Sequence, residues 1–288
     1  MQGQSRRRVL TSDGAWLNVV AEGADLADAE ATLVLAHGWT LTHHSWDPVV
    51  PLLLARHPRL RVVRWDHRDH GRSTSGRDGR PASVARLGAD LARVLAAEAA
   101  TGPLVLGGHS MGGMSVMAWA GLHPERFAAR VTGSLLVSTA AGQLADVHRR
   151  RRSAVLSRGL SRVPPSWRLP RLTPAQSRRQ AWGPDVPDEV ILASARREGW
   201  VRARSLGHWY PAMMLHDETT ALAVLASRPL RILVGEFDRI TPVRYTDDLA
   251  AALPDAVVER VAGAGHMLLA EHPDLVADHL TALITPPP

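Results

Sequence analysis

The sequence predicts an α/β protein, in which a largely parallel sheet has helices on both faces. Short, continuous apolar runs are typical of strands that are buried on both sides, and segments with helical periodicity separate them. This alternation indicates strand–helix–strand units with right-handed crossovers. The strand predictions are 32–36, 60–65, 103–106, 131–137, 230–234 and 256–261. The helix predictions are 84–100, 111–121, 245–253 and 275–284.

The chain is expected to begin with a β-hairpin. Residues 8–10 and 15–20 are apolar enough for strands, and Ser12-Asp13-Gly14 lies between them. Asp-Gly supplies the positive backbone dihedrals that a tight turn needs.

One segment interrupts the alternation of strands and helices. From residue 142 to residue 216 no convincing strand is found, prolines are frequent, and several Trp and Met residues occur in short helical stretches. We interpret residues 142–216 as a helical insertion between two parts of one core, 1–141 and 217–288.

Composition limits the possible classes of protein. The 288 residues carry a net charge of +6 and no Cys, which excludes disulfides and thiolate metal sites. All cationic residues other than His are Arg, which is typical of GC-rich coding, and the run Arg149–Arg152 lacks interleaved aromatics for base stacking. With no apolar run of membrane-spanning length, we expect a cytoplasmic protein without stable membrane insertion or nucleic-acid partner.

A candidate nucleophile follows the predicted strand 103–106. The residues GHSMG, 108–112, match the G-x-S-x-G elbow, with Ser110 between the strand and a helix. Serine needs a sharp turn there, and the flanking glycines leave room for the neighbouring strand and helix.

Serine becomes a nucleophile when a histidine takes its proton and a carboxylate orients the histidine. Asp238 follows the strand 230–234, and His266 follows the strand 256–261, so the chain order is Ser, Asp, His. Asp247 and Asp248 are rival acids, but they lie on a predicted helix too far along to meet the histidine. Ser110, Asp238 and His266 are therefore the predicted catalytic residues.

Acyl transfer also requires donors for the developing oxyanion. Trp39, in the sequence HGW after the strand 32–36, and Met111, after the serine, are expected to supply backbone N–H groups. The mechanism implies no metal and no organic cofactor.

These motifs together resemble the α/β-hydrolase superfamily, in the neighbourhood of serine esterases, lipases and cofactor-free haloperoxidases. HGW, DHRDHGRS, GHSMGG, GEFDRITP and GAGHMLLAEHP carry the resemblance, which covers nearly all of the chain except the insertion. It implies an eight-stranded, mostly parallel sheet with a helical cap and the triad Ser110, Asp238 and His266. His70 departs from the usual pattern, and a turn-filling role is favoured over a place in the site.

The sequence therefore favours a hydrolase of carboxylic esters or lactones of a small hydrophobic acyl substrate. Trp39, Trp200, Trp209 and Met213 are candidate pocket residues, with packing inside the cap as the alternative. A second hypothesis is a thioesterase or acyltransferase that docks an acyl carrier protein through Arg149–Arg152. A third is a non-hydrolytic member of the fold in a natural-product pathway.

Overall fold

Eight strands form one sheet in the computed structural model, which describes residues 4–144, 157, 159–164 and 166–285. The strands are β1 Ser5–Leu10, β2 Trp16–Gly23, β3 Ala31–Ala36, β4 Leu60–Trp65, β5 Leu104–His109, β6 Val131–Val137, β9 Leu230–Gly235 and β10 Val257–Val261. Their order is β1-β2-β4-β3-β5-β6-β9-β10, and every pair is parallel except the two that involve β2. The predicted mostly parallel eight-stranded α/β fold is confirmed.

Helices pack on the sheet and form the segment between β6 and β9. They are α1 Val50–Arg56, α2 Val84–Glu98, α3 Met111–Leu122, α4 Pro124–Arg130, α5 Pro174–Ala181, α6 Asp188–Glu198, α7 Ala203–Met214, α8 Leu222–Leu225, α9 Val243–Ala252, α10 Leu268–Glu271 and α11 Pro273–Ile284. The four predicted helices are present with ends shifted by up to two residues. Among the described helices none is long and apolar enough to cross a membrane.

The central strands are buried on both faces, as their continuous apolar runs predict. Every residue of β3, β4 and β5 is buried. Because side chains alternate across a strand, Val34 packs in the cluster that contains residues of α2 and α3, whereas Leu33 and Leu35 pack in the cluster that contains residues of α1 and α11. The result is a three-layer core in which the sheet is the middle layer.

The predicted N-terminal hairpin is present. Strands β1 and β2 pair antiparallel, with Leu10 opposite Trp16. Gly14 has a φ of 81°, and the Thr11 hydroxyl accepts a hydrogen bond from the Ala15 amide at 2.9 Å. The turn therefore uses the glycine as the sequence predicts.

Between β6 and β9 the described chain adds no strand to the central sheet. This segment, called the cap below, contains α5, α6 and α7 and a ribbon of two short strands, β7 Arg168–Leu169 and β8 Val201–Arg202. The sequence did not predict the ribbon, because two residues are too short to produce a periodic pattern. The domain boundaries at 141/142 and 216/217 stay a prediction.

A buried ionic cluster joins the turn of the hairpin to the helix layer. Arg68 is 5% exposed, and its guanidinium donates to Asp90 on α2 at 2.6 and 2.5 Å. The same guanidinium donates to Asp13 at 2.7 Å. Asp90 is 1% exposed, so its charge has little solvent to replace a lost partner.

We expect Arg68→Ala to lower the free energy of unfolding by about 3 kcal/mol, because a buried carboxylate is left without its partner. The matched control is Arg260→Ala, which breaks the ion pair with Asp247 where both side chains are about half exposed (59% and 48%). That change should cost less than about 1 kcal/mol. Urea denaturation of the two variants measures the difference, and equal losses would contradict the role given to the Arg68 cluster.

Candidate active site

Ser110 lies on a strained turn between β5 and α3. Its φ of 53° and ψ of −120° place a non-glycine residue in a sparsely populated backbone region. The turn is held on both sides: the Ser110 amide donates to the Val137 carbonyl at 2.9 Å, and the Ser110 carbonyl accepts from the Thr139 hydroxyl at 2.8 Å. Ser110 is buried but retains 5% exposure.

The two flanking glycines permit this turn. A Cβ on Gly108 would lie 2.6 Å from the Gly112 carbonyl oxygen, and a Cβ on Gly112 would lie 2.3 Å from the Ala36 carbonyl oxygen. Backbone atoms cannot move aside as the end of a flexible side chain can. Glycine at both positions therefore allows α3 to pack directly against the sheet behind Ser110.

Asp238 and His266 form a buried pair on the loops after β9 and β10. Asp238 Oδ2 and His266 Nδ1 are 2.8 Å apart. The other carboxylate oxygen, Oδ1, accepts from the amides of Ile240 and Thr241 at 2.9 and 2.8 Å. Burial alone would raise the pKa of Asp238, but His266 and these amides lower it below its usual value. An ionised Asp238 keeps the His266 proton on Nδ1 and leaves Nε2 to act as a base.

His109 connects the serine turn to the histidine loop. Its ring lies 4.9 Å from the His266 ring, centroid to centroid, and its Nε2 donates to the His266 carbonyl at 2.9 Å. Burial and the neighbouring His266 lower the pKa of His109 to about 3, so this donor stays neutral. The structure thus brings Asp238 and His266 into contact and fixes the His266 backbone beside the residue that precedes Ser110.

Glu271, on α10, holds both the histidine loop and the cap. Its Oε2 accepts from the amides of Gly265 and Gly183, and its Oε1 accepts from the Met267 amide, each at 2.9 Å. The His266 amide itself donates to the Ala181 carbonyl of the cap at 2.8 Å. Burial raises the pKa of Glu271, and the three amides oppose that shift. Sequence reasoning did not find Glu271, because its contacts include an amide 88 residues away.

Met111 and Trp39, the residues expected to bind the oxyanion, each follow a strand, β5 and β3, as the sequence predicts. Met111 is the first residue of α3, where backbone N–H groups have no partner within the helix. Trp39 follows β3, and its indole Nε1 donates to the Ser205 carbonyl of the cap at 3.1 Å. Thr40, the next residue, has a φ of 64°. The two amides as oxyanion donors stay a prediction.

Neutral histidines support the loop that carries Trp39. His37 Nδ1 donates to the Gly38 carbonyl at 2.7 Å, and its Nε2 accepts from the His67 amide at 2.9 Å. Burial holds the pKa of His37 well below its ordinary value. His70 is 2% exposed and donates from Nδ1 to the Arg68 carbonyl, and it also lines a cavity, so its turn-filling role stays a prediction.

The candidate pocket residues have different environments. Trp209 is fully buried in the core and its indole donates to Asp69 at 3.2 Å, and Met213 is 5% exposed in the same hydrophobic cluster. Trp39 is partly buried against that cluster. Trp200 is 65% exposed and lines a cavity beneath the β7–β8 ribbon. Trp209 and Met213 are therefore packed in the hydrophobic core, which favours the packing alternative for these two residues.

No group of three or more metal-ligating side chains that could hold an ion occurs in the part of the chain that the structure describes.

Comparison with known proteins gives a consistent result. The model of the alpha/beta hydrolase family matches residues 33–279. The chain is 26% identical to the esterase YbfF of Escherichia coli over 261 residues, which cover 90% of this chain and 95% of YbfF. A thermophilic esterase from Thermogutta terrifontis superposes with a TM-score of 0.75 at 22% identity, covering 98% of this chain and 100% of that one. The esterase RhEst1 from Rhodococcus gives a TM-score of 0.74 at 22% identity, covering 97% of this chain and 98% of that one.

We expect Glu271→Gln to lower kcat by about ten- to a hundredfold with little change in KM, since small misplacement of a catalytic group costs rates of this order. The amide NH₂ of glutamine would face a backbone N–H in place of an acceptor oxygen. Steady-state kinetics and Tm on the same samples measure the effect.

The control is Glu236→Gln, because Glu236 also accepts from an amide of this loop, that of Gly263 at 3.0 Å, but is exposed. Its kcat should stay within about twofold of wild type, as expected for a solvated surface contact. A fall in Tm for Glu271→Gln with kcat unchanged would show a purely structural role.

Proposed function

This chain belongs to the alpha/beta hydrolase family, and from that premise we propose that it cleaves a carboxylic ester or lactone through an acyl-enzyme on Ser110. The observation that carries the proposal is the strained Ser110 turn at the end of β5, beside the buried Asp238–His266 pair at the ends of β9 and β10. The carboxyl ends of parallel strands meet at one edge of a sheet, where sites of this fold class form.

The proposed chemical steps give each of the three side chains one role. Ser110 Oγ attacks the acyl carbonyl while His266 Nε2 takes its proton, and Asp238 stabilises the imidazolium that forms. The backbone amides of Trp39 and Met111 bind the oxyanion. His266 then protonates the departing alcohol. Water, deprotonated by the same histidine, attacks the acyl-enzyme and releases the acid.

The strain at Ser110 supports this assignment over a structural role for the serine. A residue held at positive φ costs about 1–3 kcal/mol, and such strain persists only where the surroundings impose it. Here the hydrogen bonds from the Ser110 amide to Val137 and from the Thr139 hydroxyl to the Ser110 carbonyl hold the backbone in this conformation. The same features argue against a non-hydrolytic member of the fold, because a binding protein does not require a strained serine beside an Asp–His pair.

The thioesterase or acyltransferase alternative depends on carrier docking through Arg149–Arg152. That run lies outside the described residues, so no geometry supports it. A hydrophobic acyl group stays part of the proposal, supported by the partly buried Trp39 and Met214 that pack on the core.

Ser110→Ala and Asp238→Asn should each lower ester turnover by roughly three or more orders of magnitude, because each removes an essential part of the proton transfer. The control is Asp247→Asn, at an acid paired with Arg260 on the surface, which should retain wild-type turnover. The substrates are p-nitrophenyl esters, lactones and acyl thioesters, with peracid formation from acetate and peroxide as a further assay. Full activity of Ser110→Ala on every substrate would contradict the proposal, and faster thioester cleavage would favour the alternative.

A further inference from the structure

The loop that carries Trp39 packs directly against the serine turn. A Cβ on Gly38 would lie 2.8 Å from His109 Nδ1, so there is no space between the Gly38 backbone and the ring of the residue before Ser110. The proposed oxyanion donor, the Trp39 amide, belongs to the peptide group that begins with the Gly38 carbonyl. The orientation of this peptide group therefore decides where the Trp39 N–H points relative to Ser110.

Residues 38–41 of this loop form a tight turn. The Leu41 amide donates to the Gly38 carbonyl at 3.2 Å, which closes the turn. Thr40, the third residue of the turn, has a φ of 64°. A turn with positive φ at this position normally has glycine or asparagine there, because a β-branched side chain is strained at positive φ. Such strain persists only where contacts from the surroundings impose it.

Arg171, in the cap between β7 and α5, supplies one of these contacts. Its Nη2 donates to the Thr40 carbonyl at 2.7 Å, and its Nε donates to the Gly199 carbonyl at 2.8 Å. The bond to Gly199 anchors the guanidinium within the cap. The bond to Thr40 then holds the turn from the cap side.

Glu198, the last residue of α6, holds the same loop at a second point. Its Oε2 accepts from the Thr42 hydroxyl at 2.8 Å, and the side chain belongs to a residue that is 6% exposed. Burial raises the pKa of Glu198 to about 7, and the positive charge of Arg171 opposes that shift. The cap therefore grips the loop after β3 through one carbonyl and one hydroxyl.

Two peptide groups connect the Arg171 guanidinium to the Trp39 amide. The first extends from the Thr40 carbonyl, which accepts from Arg171, to the Leu41 N–H. The second extends from the Gly38 carbonyl, which accepts from Leu41, to the Trp39 N–H. Resonance couples the two ends of each peptide group, and hydrogen bonds in a chain strengthen one another by about 10–30% per bond. The charge of Arg171 thus makes the Trp39 N–H a stronger donor.

We propose that Arg171 is a positioning residue for the oxyanion site, which orients and polarises the Trp39 amide through these two peptide groups. The proposal rests on the proposed ester hydrolysis at Ser110 and adds a residue of the cap to it. Negative charge develops on the acyl oxygen only in the transition state. Loss of Arg171 should therefore weaken binding of the transition state and leave binding of the neutral ester unchanged.

Arg171→Met, which removes the guanidinium and keeps most of the side-chain length, tests the proposal. It should lower kcat for p-nitrophenyl acetate about tenfold, less than the hundred- to thousandfold cost of losing a whole oxyanion donor. KM should stay within about twofold of wild type. A trifluoromethyl ketone, which forms an oxyanion adduct with the serine, should bind about tenfold more weakly, and the matching methyl ketone should bind as before. Arg171→Lys should recover part of kcat, because an ammonium group can donate to the Thr40 carbonyl.

Arg202→Met is the matched control. Arg202 is also a cap arginine that donates to a carbonyl of a core loop, that of Gly71 at 2.5 Å, but this loop follows β4. Its kcat should stay within about twofold of wild type, because its contact lies outside the chain of peptide groups that leads to Trp39. Equal losses of kcat in Arg171→Met and Arg202→Met, or equal weakening of the two ketones by Arg171→Met, would show that Arg171 only holds the cap and would overturn the proposal.

The NMR shift of the Trp39 amide proton, measured without substrate, separates this proposal from the proposed chemistry. A less polarised N–H is less deshielded, so the signal should move upfield in Arg171→Met and stay in place in Arg202→Met. If Ser110→Ala keeps full activity while this shift is seen, the Ser110 mechanism fails and the effect of Arg171 on the loop stands. If Ser110 proves essential and Arg171→Met leaves either kcat or the Trp39 signal unchanged, the proposal is overturned.

Discussion

The backbone of Ser110 is held in a conformation that costs about 1–3 kcal/mol. Contacts with β3, β6 and the residues just after β6 hold it there. Close packing offsets this cost in free energy, because α3 lies so close to β3 that Gly112 has no room for a side chain. Strand β6 contributes the carbonyl that fixes the Ser110 amide, and Thr139 just beyond that strand fixes its carbonyl. Ser110 is thus held at the end of a buried central strand, where the proposed attack on an acyl carbonyl would need a fixed nucleophile.

The cap is tied to the loops that carry the reactive groups. Glu271 joins Gly183 of the cap to the amides on either side of His266. On the other side, the indole of Trp39 reaches the Ser205 carbonyl. A shift of the cap would therefore displace both His266, the proposed base, and Trp39, a proposed oxyanion residue.

Local sequence patterns predicted the sheet and the Ser, Asp and His residues because each follows a strand with its own turn signal. Glu271 carries no such signal, since its contacts join segments far apart in the chain. Trp209 and Met213 illustrate a second limit. The sequence pattern of an apolar residue on a helix is the same whether the residue faces a substrate or the core. Trp209 and Met213 both lie in the core cluster. Trp200 directly precedes a ribbon that is too short for periodicity to reveal.

The covalent intermediate is the most direct test of this account. A p-nitrophenyl ester mixed with the enzyme and quenched in acid within the first turnovers should leave one acyl group on the protein. Cleavage at arginine should place the added mass on peptide 94–126, and fragmentation should assign it to Ser110 rather than to Ser115 in the same peptide. An acyl group on another residue, or hydrolysis at full rate with no trapped adduct and no labelling of Ser110 by a fluorophosphonate, would contradict nucleophilic catalysis by Ser110.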